Sequence, residues 1–98
     1  MAGKRNLWEP LAVYRTRKGW SQAEVADAAQ MSRSLYSKRE SGKKGEPKLR
    51  SLKRVKVGLV RDKGIRPDEF DREVLFPIIE LIEIEDRDAD HSEHPTDH

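Results

Sequence analysis

With 98 residues, 35% hydrophobic and 39% charged, the chain has room for one domain around a small core; it has no cysteine for disulfides or thiolate metal sites, so a homodimer is the stabiliser that remains. No apolar run nears the roughly 20 residues of a membrane span, and the basic residues 1–6 lack the apolar stretch of a signal peptide, so a soluble cytoplasmic chain is expected. The net charge of +2 hides a division: residues 1–66 hold 18 Lys/Arg against 6 Asp/Glu, which suits a polyanion, whereas residues 67–98 hold 2 against 12 and must face away from one.

Lys4 and Arg5 read as a frayed terminus more than as an arm. A first helix is predicted from about Trp8 or Pro10 to Lys18. Asn6 and Glu9 form a capping pair, Pro10 is tolerated in the first turn, and Gly19 supplies the stop. Leu7, Leu11 and Tyr14 recur at helical spacing as its buried face. The second helix opens at Ser21, where Ser21-x-x-Glu24 is a capping box. Its Val25, Ala26 and Ala29 are small or apolar, as a close helix crossing needs. A third helix takes Ser32 as its cap and ends before Gly42.

A basic loop with Lys43 and Lys44 leads to a fourth helix starting near Pro47. Leu49, Leu52, Val55, Leu59 and Val60 form its apolar side, and Gly64 ends it. Pro67 and Asp68 open a fifth helix bearing Phe70, Val74 and Leu75. The segment 77–84 reads two ways. Leu75, Ile78, Ile79 and Ile82 follow i, i+3, i+4, i+7, which favours a helix. Four isoleucines in seven residues, with Phe76 before a proline, favour a strand. The balance tips to helix. Residues 86–98 are acidic and aperiodic, and disorder is expected there.

Two short helices joined by a tight turn, the second opening with polar and basic side chains, present a recognition helix to the major groove of DNA. From Leu11 onward the residues resemble the lambdoid phage repressor and Cro (xenobiotic-response-element) helix-turn-helix family. Leu11-Ala12-Val13-Tyr14-Arg15 with Lys18-Gly19-Trp20-Ser21-Gln22 resembles its first helix and turn, and Gln22-x-Glu24-Val25-Ala26 its second helix. Glu40-Ser41-Gly42-Lys43 and Pro47-x-Leu49-x-x-Leu52 resemble its closing elements, so the likeness covers about residues 7–60.

By that resemblance, Gln22 grips a backbone phosphate, and Arg33, Ser34, Ser37 and Lys38 face base edges. It also implies that Arg15 and Glu40 form a partly buried ion pair between the first and third helices. The chemistry of the residues agrees. Arg33 can make two hydrogen bonds to guanine, and Lys38 lies one turn from Ser34 on the same face. Ser32 at the cap, with Lys43 and Lys44 in the following loop, falls along the phosphates. Two positions depart from the family. Gln30 stands where it has glycine and needs left-handed geometry or a slightly different turn; Arg39 stands at an apolar position and is assigned to backbone phosphate.

Trp8, Trp20 and Tyr36 are expected as packing residues. Val74, Leu75, Phe76, Ile78, Ile79, Leu81, Ile82 and Ile84 are expected at a dimer interface, because so small a domain has little interior to cover them. His91, His94 and His98 lie in a tail without supporting partners, so no metal is expected, and no cofactor either. No nucleophile and base pair or Gly-rich phosphate loop points to an enzyme.

The resulting expectation is an all-α, compact four- to five-helix bundle. Residues 1–66 make a basic helix-turn-helix domain, 67–85 a dimerising strand or helix, and 86–98 an acidic tail. Its function reads as a dimeric repressor of the Cro or immunity-repressor type on a pseudo-palindromic operator in double-stranded DNA, in a prokaryotic or phage-infected cell. The rivals are an antitoxin whose acidic end covers a basic toxin, and a restriction-modification controller protein.

Overall fold

The computed structural model describes residues 6–42 and 46–93, with side chains through Glu85. Helix α1 spans Glu9–Lys18, α2 Gln22–Ala28, α3 Arg33–Glu40, α4 Leu49–Lys63, α5 Pro67–Phe70 and α6 Phe76–Glu93. Residues Asp71–Leu75 form a π-helical turn that joins α5 to α6. No strand occurs among the described residues, which settles the segment 77–84 as helix. No helix among them is long and apolar enough to cross a membrane.

The local signals act where the sequence puts them. The Ser21 hydroxyl accepts from the Glu24 N–H at 3.0 Å, and the Glu24 carboxylate accepts from the Ser21 N–H at 2.8 Å, which completes the capping box. Ser32 caps α3 by accepting from the Leu35 N–H at 3.0 Å. Gly19 and Gly64 end α1 and α4 at φ 79° and 69°, where a Cβ would strain the backbone. Asn6 differs from expectation. The residue flanking α1 is Trp8, and Asn6 turns the chain ahead of it by accepting from the Trp8 N–H. Its amide also donates to the Glu40 carbonyl at 2.8 Å, tying the start of α1 to the end of α3.

One core unites all six helices. Trp8, Leu11 and Tyr14 of the α1 region meet Val25, Ala26, Ala28 and Ala29 from α2, and Tyr36 from α3. Leu52, Val55 and Leu59 enter from α4; Phe70, Val74 and Ile78 enter from the C-terminal helices. The close crossing of α2 and α4 depends on Gly58, where an added Cβ would lie 2.0 Å from the Ala28 carbonyl oxygen. Leu49, expected on the buried side of α4, is 69% exposed.

The C-terminal helices correct three expectations. Val74 and Ile78, assigned to a dimer interface, are wholly buried in the monomer's own core and offer no surface to a partner. Phe76, biased toward extended backbone by the following proline, is helical at φ −64° and ψ −42°. A proline ring inside a helix collides with the carbonyl four residues back, here Glu73. The turn containing that carbonyl is widened to π, with the Phe76 N–H reaching the Asp71 carbonyl, and Pro77 continues the chain without ending the helix. The wider turn also rotates the rest of the helix about its axis. The core line becomes Phe70, Val74 and Ile78, with Ile82 partly buried against it, while Phe76 and Ile79 face out. Helix α6 runs on to Glu93, so residues 86–93, expected to be disordered, are helical instead. An acidic sequence does not forbid the extension of a helix that has already been nucleated by packing.

Candidate nucleic-acid interface

Helix α3 is divided into two faces by its own sequence. Tyr36 and Glu40, one turn apart, point inward and are buried. Arg33, Ser34, Ser37 and Lys38 are all exposed, with Arg33 over Ser37 and Ser34 over Lys38 at i, i+4 spacing. The side chains of Ser34, Ser37 and Lys38 have no hydrogen-bond partner among the described residues. The Arg33 guanidinium stands 3.4 Å from the Asp27 carboxylate of α2, both strongly exposed. A stripe of exposed hydroxyls with the free Lys38 cation, and with Arg33 held only by a long, solvent-exposed pair, is chemistry suited to base edges. Asp27 was not singled out from the sequence. Its position six residues before Arg33, across the turn, carried no local signal.

The inward face is a polar hub built on Glu40. Its carboxylate accepts from Arg15 Nε at 2.7 Å and Arg15 Nη2 at 3.0 Å, a two-pronged pair. The Tyr36 hydroxyl donates to it at 2.7 Å, and the Gln22 amide donates at 2.7 Å. Arg15 also donates to the Trp20 carbonyl at 2.7 Å. The Glu40 side chain is 5% exposed. Burial raises its carboxyl, but the hydrogen bonds from Arg15, Tyr36 and Gln22 outweigh that and hold it below the ordinary carboxylate range. The Tyr36 hydroxyl is driven up by burial and by donating to Glu40.

The hub takes in Gln22, which the resemblance assigned to phosphate. An amide nitrogen has two hydrogens, so one N–H on Glu40 leaves the other for a phosphate oxygen. Gln22 sits at the first position of α2, half-buried beside α3. Ser32, at the α3 cap, is exposed. Arg39 is a correction. Instead of reaching outward, it lies over the Trp8 ring at 5.8 Å and donates to the Ser51 hydroxyl at 3.0 Å. Its Nε is buried with no hydrogen-bond partner among the described residues. Arg39 replaces the family's apolar side chain by packing its stem and plane against an aromatic. Lys43 and Lys44 lie outside the described residues.

The turn between α2 and α3 takes the form the sequence demanded. Gln30 is the only non-glycine at positive φ among the described residues, at 58°. Arg54 of α4 donates to the Gln30 carbonyl at 2.7 Å, and Arg61 donates to the Ala28 carbonyl at 2.9 Å. Arg50, Lys53, Arg54 and Arg61 line a cleft against this turn and extend the positive surface.

The acidic segment is placed elsewhere. Glu69 accepts from the Tyr14 hydroxyl at 3.0 Å and pairs with Lys18 at 2.7 Å. Glu73 pairs with Arg17, and Asp71 with Lys56 at 2.9 Å. These carboxylates neutralise cations of α1 and α4 and leave the outward stripe of α3 positive. Leu75 and Ile82 are partly buried against the core, and Leu81 and Ile84 are half-exposed. Among the described residues no group of His, Cys, Asp and Glu is arranged to hold a metal.

The family model described as Helix-turn-helix matches residues 11–55, from Leu11 on α1 to Val55 on α4. That span takes in the Glu40 hub and the whole outward stripe of α3. No curated protein and no solved structure matches the chain.

Proposed function

We propose that the chain is a DNA-binding transcriptional regulator of the Cro/C1 type, a dimeric repressor whose α3 reads a pseudo-palindromic operator; the helix-turn-helix match over residues 11–55 supports this. Arg33, Ser34, Ser37 and Lys38 face the bases; Gln22, Ser32 and the arginines of α4 beside the turn, Arg50, Arg54 and Arg61, hold phosphates. The observation that carries this reading is the division of α3. The inward Tyr36 and Glu40 are held in the hub, while Ser34, Ser37 and Lys38 stay available on the outward face, with Arg33 beside them in a long, exposed pair to Asp27. Repression results from occupying a site that overlaps a promoter.

The test starts with selection of bound duplexes from a random pool by the full chain. An inverted repeat with half-sites about one helical turn apart is expected. An unenriched pool overturns sequence-specific reading. On the selected site, Arg33→Ala should reduce discrimination against the scrambled duplex by about 1–3 kcal/mol. Gln22→Ala should weaken both duplexes alike and lower the salt dependence of binding.

One observation favours a protein partner as well. Helix α6 carries its acidic sequence as far as Glu93, well beyond Ile82, the last residue packed on the core among the described side chains. An antitoxin covering a basic toxin would use such an extension. A stable complex of the full chain with a basic protein encoded beside it, lost on truncation after Glu85, would support that reading.

A further inference from the structure

The large apolar side chains standing exposed among the described residues are Val13, Leu49, Val57, Phe76 and Ile79. Three of these belong to one surface. A groove between α4 and the C-terminal helices is lined by Leu49, Leu52, Lys53, Lys56, Phe70 and Leu75. Ile79 is a helical neighbour of both Leu75, four residues back, and Phe76, three residues back, so the three share one side of the helix and carry the groove's apolar wall outward. Phe76 is 58% exposed and Leu49 69%. An aromatic ring and two long aliphatic chains on one continuous face exceed the scattered apolar residues of an ordinary monomer surface.

The charges beside this surface point to what covers it. On the α4 side stands Lys53, exposed and without an ion-pair partner among the described residues. Lys56, deeper in the groove, is already paired with Asp71. On the α6 side, beyond Ile79, stand Glu80 and Glu83, likewise exposed and unpaired among the described residues. One chain thus presents an apolar centre with a positive flank and a negative flank. A two-fold rotation lays each flank over its opposite, which is the requirement of a self-complementary interface. A foreign partner would need matching charges of its own, whereas a second copy has them by symmetry.

We propose that this groove seats a second copy of the chain, with Phe76 and Ile79 of one protomer against Leu49 and Leu75 of the other, and Lys53 facing Glu80 and Glu83 across the axis. This rests on the dimeric reading above and moves the contact off the buried line of Val74 and Ile78, onto α4 and the outward side of α6. Lys53 and Leu49 then take part in dimerisation, a role that the composition of the last third of the chain did not suggest.

The test is sedimentation of the full chain and three variants: Phe76→Asp, Lys53→Glu, and the double variant Glu80→Lys/Glu83→Lys. All four positions are exposed, and circular dichroism with the thermal midpoint checks that each variant keeps the fold. Phe76→Asp should weaken self-association by about thirtyfold or more, as loss of a central anchor does. Each charge variant alone should weaken it by about tenfold, because like charges then face each other. An equimolar mixture of the Lys53→Glu and Glu80→Lys/Glu83→Lys chains should recover the wild-type association. That recovery cannot come from a merely damaged fold. A wild-type dimer that all variants share would overturn this surface and leave the dimeric reading standing. A mixture as weak as its components would overturn the charge pairing. A wild-type chain that stays monomeric at every concentration, with and without its selected duplex, would overturn the dimeric reading and this assignment with it.

Discussion

Helix α1 is tied by charged groups on both flanks, and the two flanks are built differently. Toward α3, Arg15 meets a Glu40 carboxylate that also accepts from Tyr36 and Gln22, in a setting nearly closed to water. Toward the C-terminal helices, Lys18 meets Glu69 and Arg17 meets Glu73 in ion pairs that keep a quarter or more of their side-chain surface in solvent, and the buried Tyr14 adds its hydroxyl to Glu69. Similar residues therefore do different things. In the buried hub each group has replaced its water by a protein partner, so removing one strands the others. At the exposed pairs, water takes the place of a lost partner at once. The hub orients α3; the exposed pairs keep the acidic segment against the cations of α1 and off the outward stripe of α3.

The sharpest way to break this contrast is at Glu40. Glu40→Ala leaves the Arg15 guanidinium, the Tyr36 hydroxyl and the Gln22 amide without their shared acceptor, and a loss of about 3–5 kcal/mol is expected in chemical unfolding. A loss below about 1 kcal/mol would place the hub in the same class as the surface pairs. The pH dependence comes from the direction of the Glu40 shift. Its folded-state carboxyl lies below the ordinary value of 4.5, so its contribution is fully present above that value and is lost as pH falls through the lower folded one. Unfolding of wild type and Glu40→Gln compared between pH 7 and pH 3 should show their difference shrinking as acid protonates Glu40. A constant difference across that range would mean that the carboxylate's charge is not what the hub uses.

The matching change on the other flank is Glu69→Ala. Lys18 and Glu69 are partly hydrated there, so their ion pair accounts for about 0.2–1 kcal/mol of the expected loss, the part that salt diminishes; the buried Tyr14 also loses the acceptor of its hydroxyl. Unfolding at low and at high ionic strength separates the two cases. The Glu69 effect should fade with added salt, and the Glu40 effect should not.

The same contrast explains what could be read from the residues alone. Signals that act within one turn of chain were legible: the Ser21–Glu24 box, the Ser32 cap, the glycine stops at Gly19 and Gly64, and the two-faced spacing of α3. The Arg15–Glu40 pair was legible only through family resemblance, because 25 residues separate its partners. The recruitment of Gln22 to that pair, and the packing of Arg39 on Trp8, depend on where three helices converge, which no local pattern records. The C-terminal helices were misread for a backbone reason. Leu75, Ile78, Ile79 and Ile82 make one face on an α-helix of constant pitch, but the π turn before Pro77 rotates the frame. The core then takes Val74 and Ile78 and leaves Phe76 and Ile79 outside.

Each region has one departure from regular backbone, the π turn in one and Gln30 in the other, and only the second is relieved by a single side chain. Gln30 occupies the left-handed region at φ 58°, where an L residue with a Cβ sits about 1–2 kcal/mol above glycine. Its carbonyl accepts from Arg54, but that bond belongs to the backbone and survives any substitution. Gln30→Gly relieves the strain and adds freedom to the unfolded chain, and these oppose each other. The net expectation is a gain of up to about 1 kcal/mol, with Gln30→Ala no better than wild type. If alanine stabilises as much as glycine, the strain is not in the backbone, and the turn gains its stability from side-chain contacts instead. If glycine stabilises but binding to the selected duplex falls, the left-handed residue also sets the angle between α2 and α3, and stiffness in the turn serves the reading helix rather than the fold.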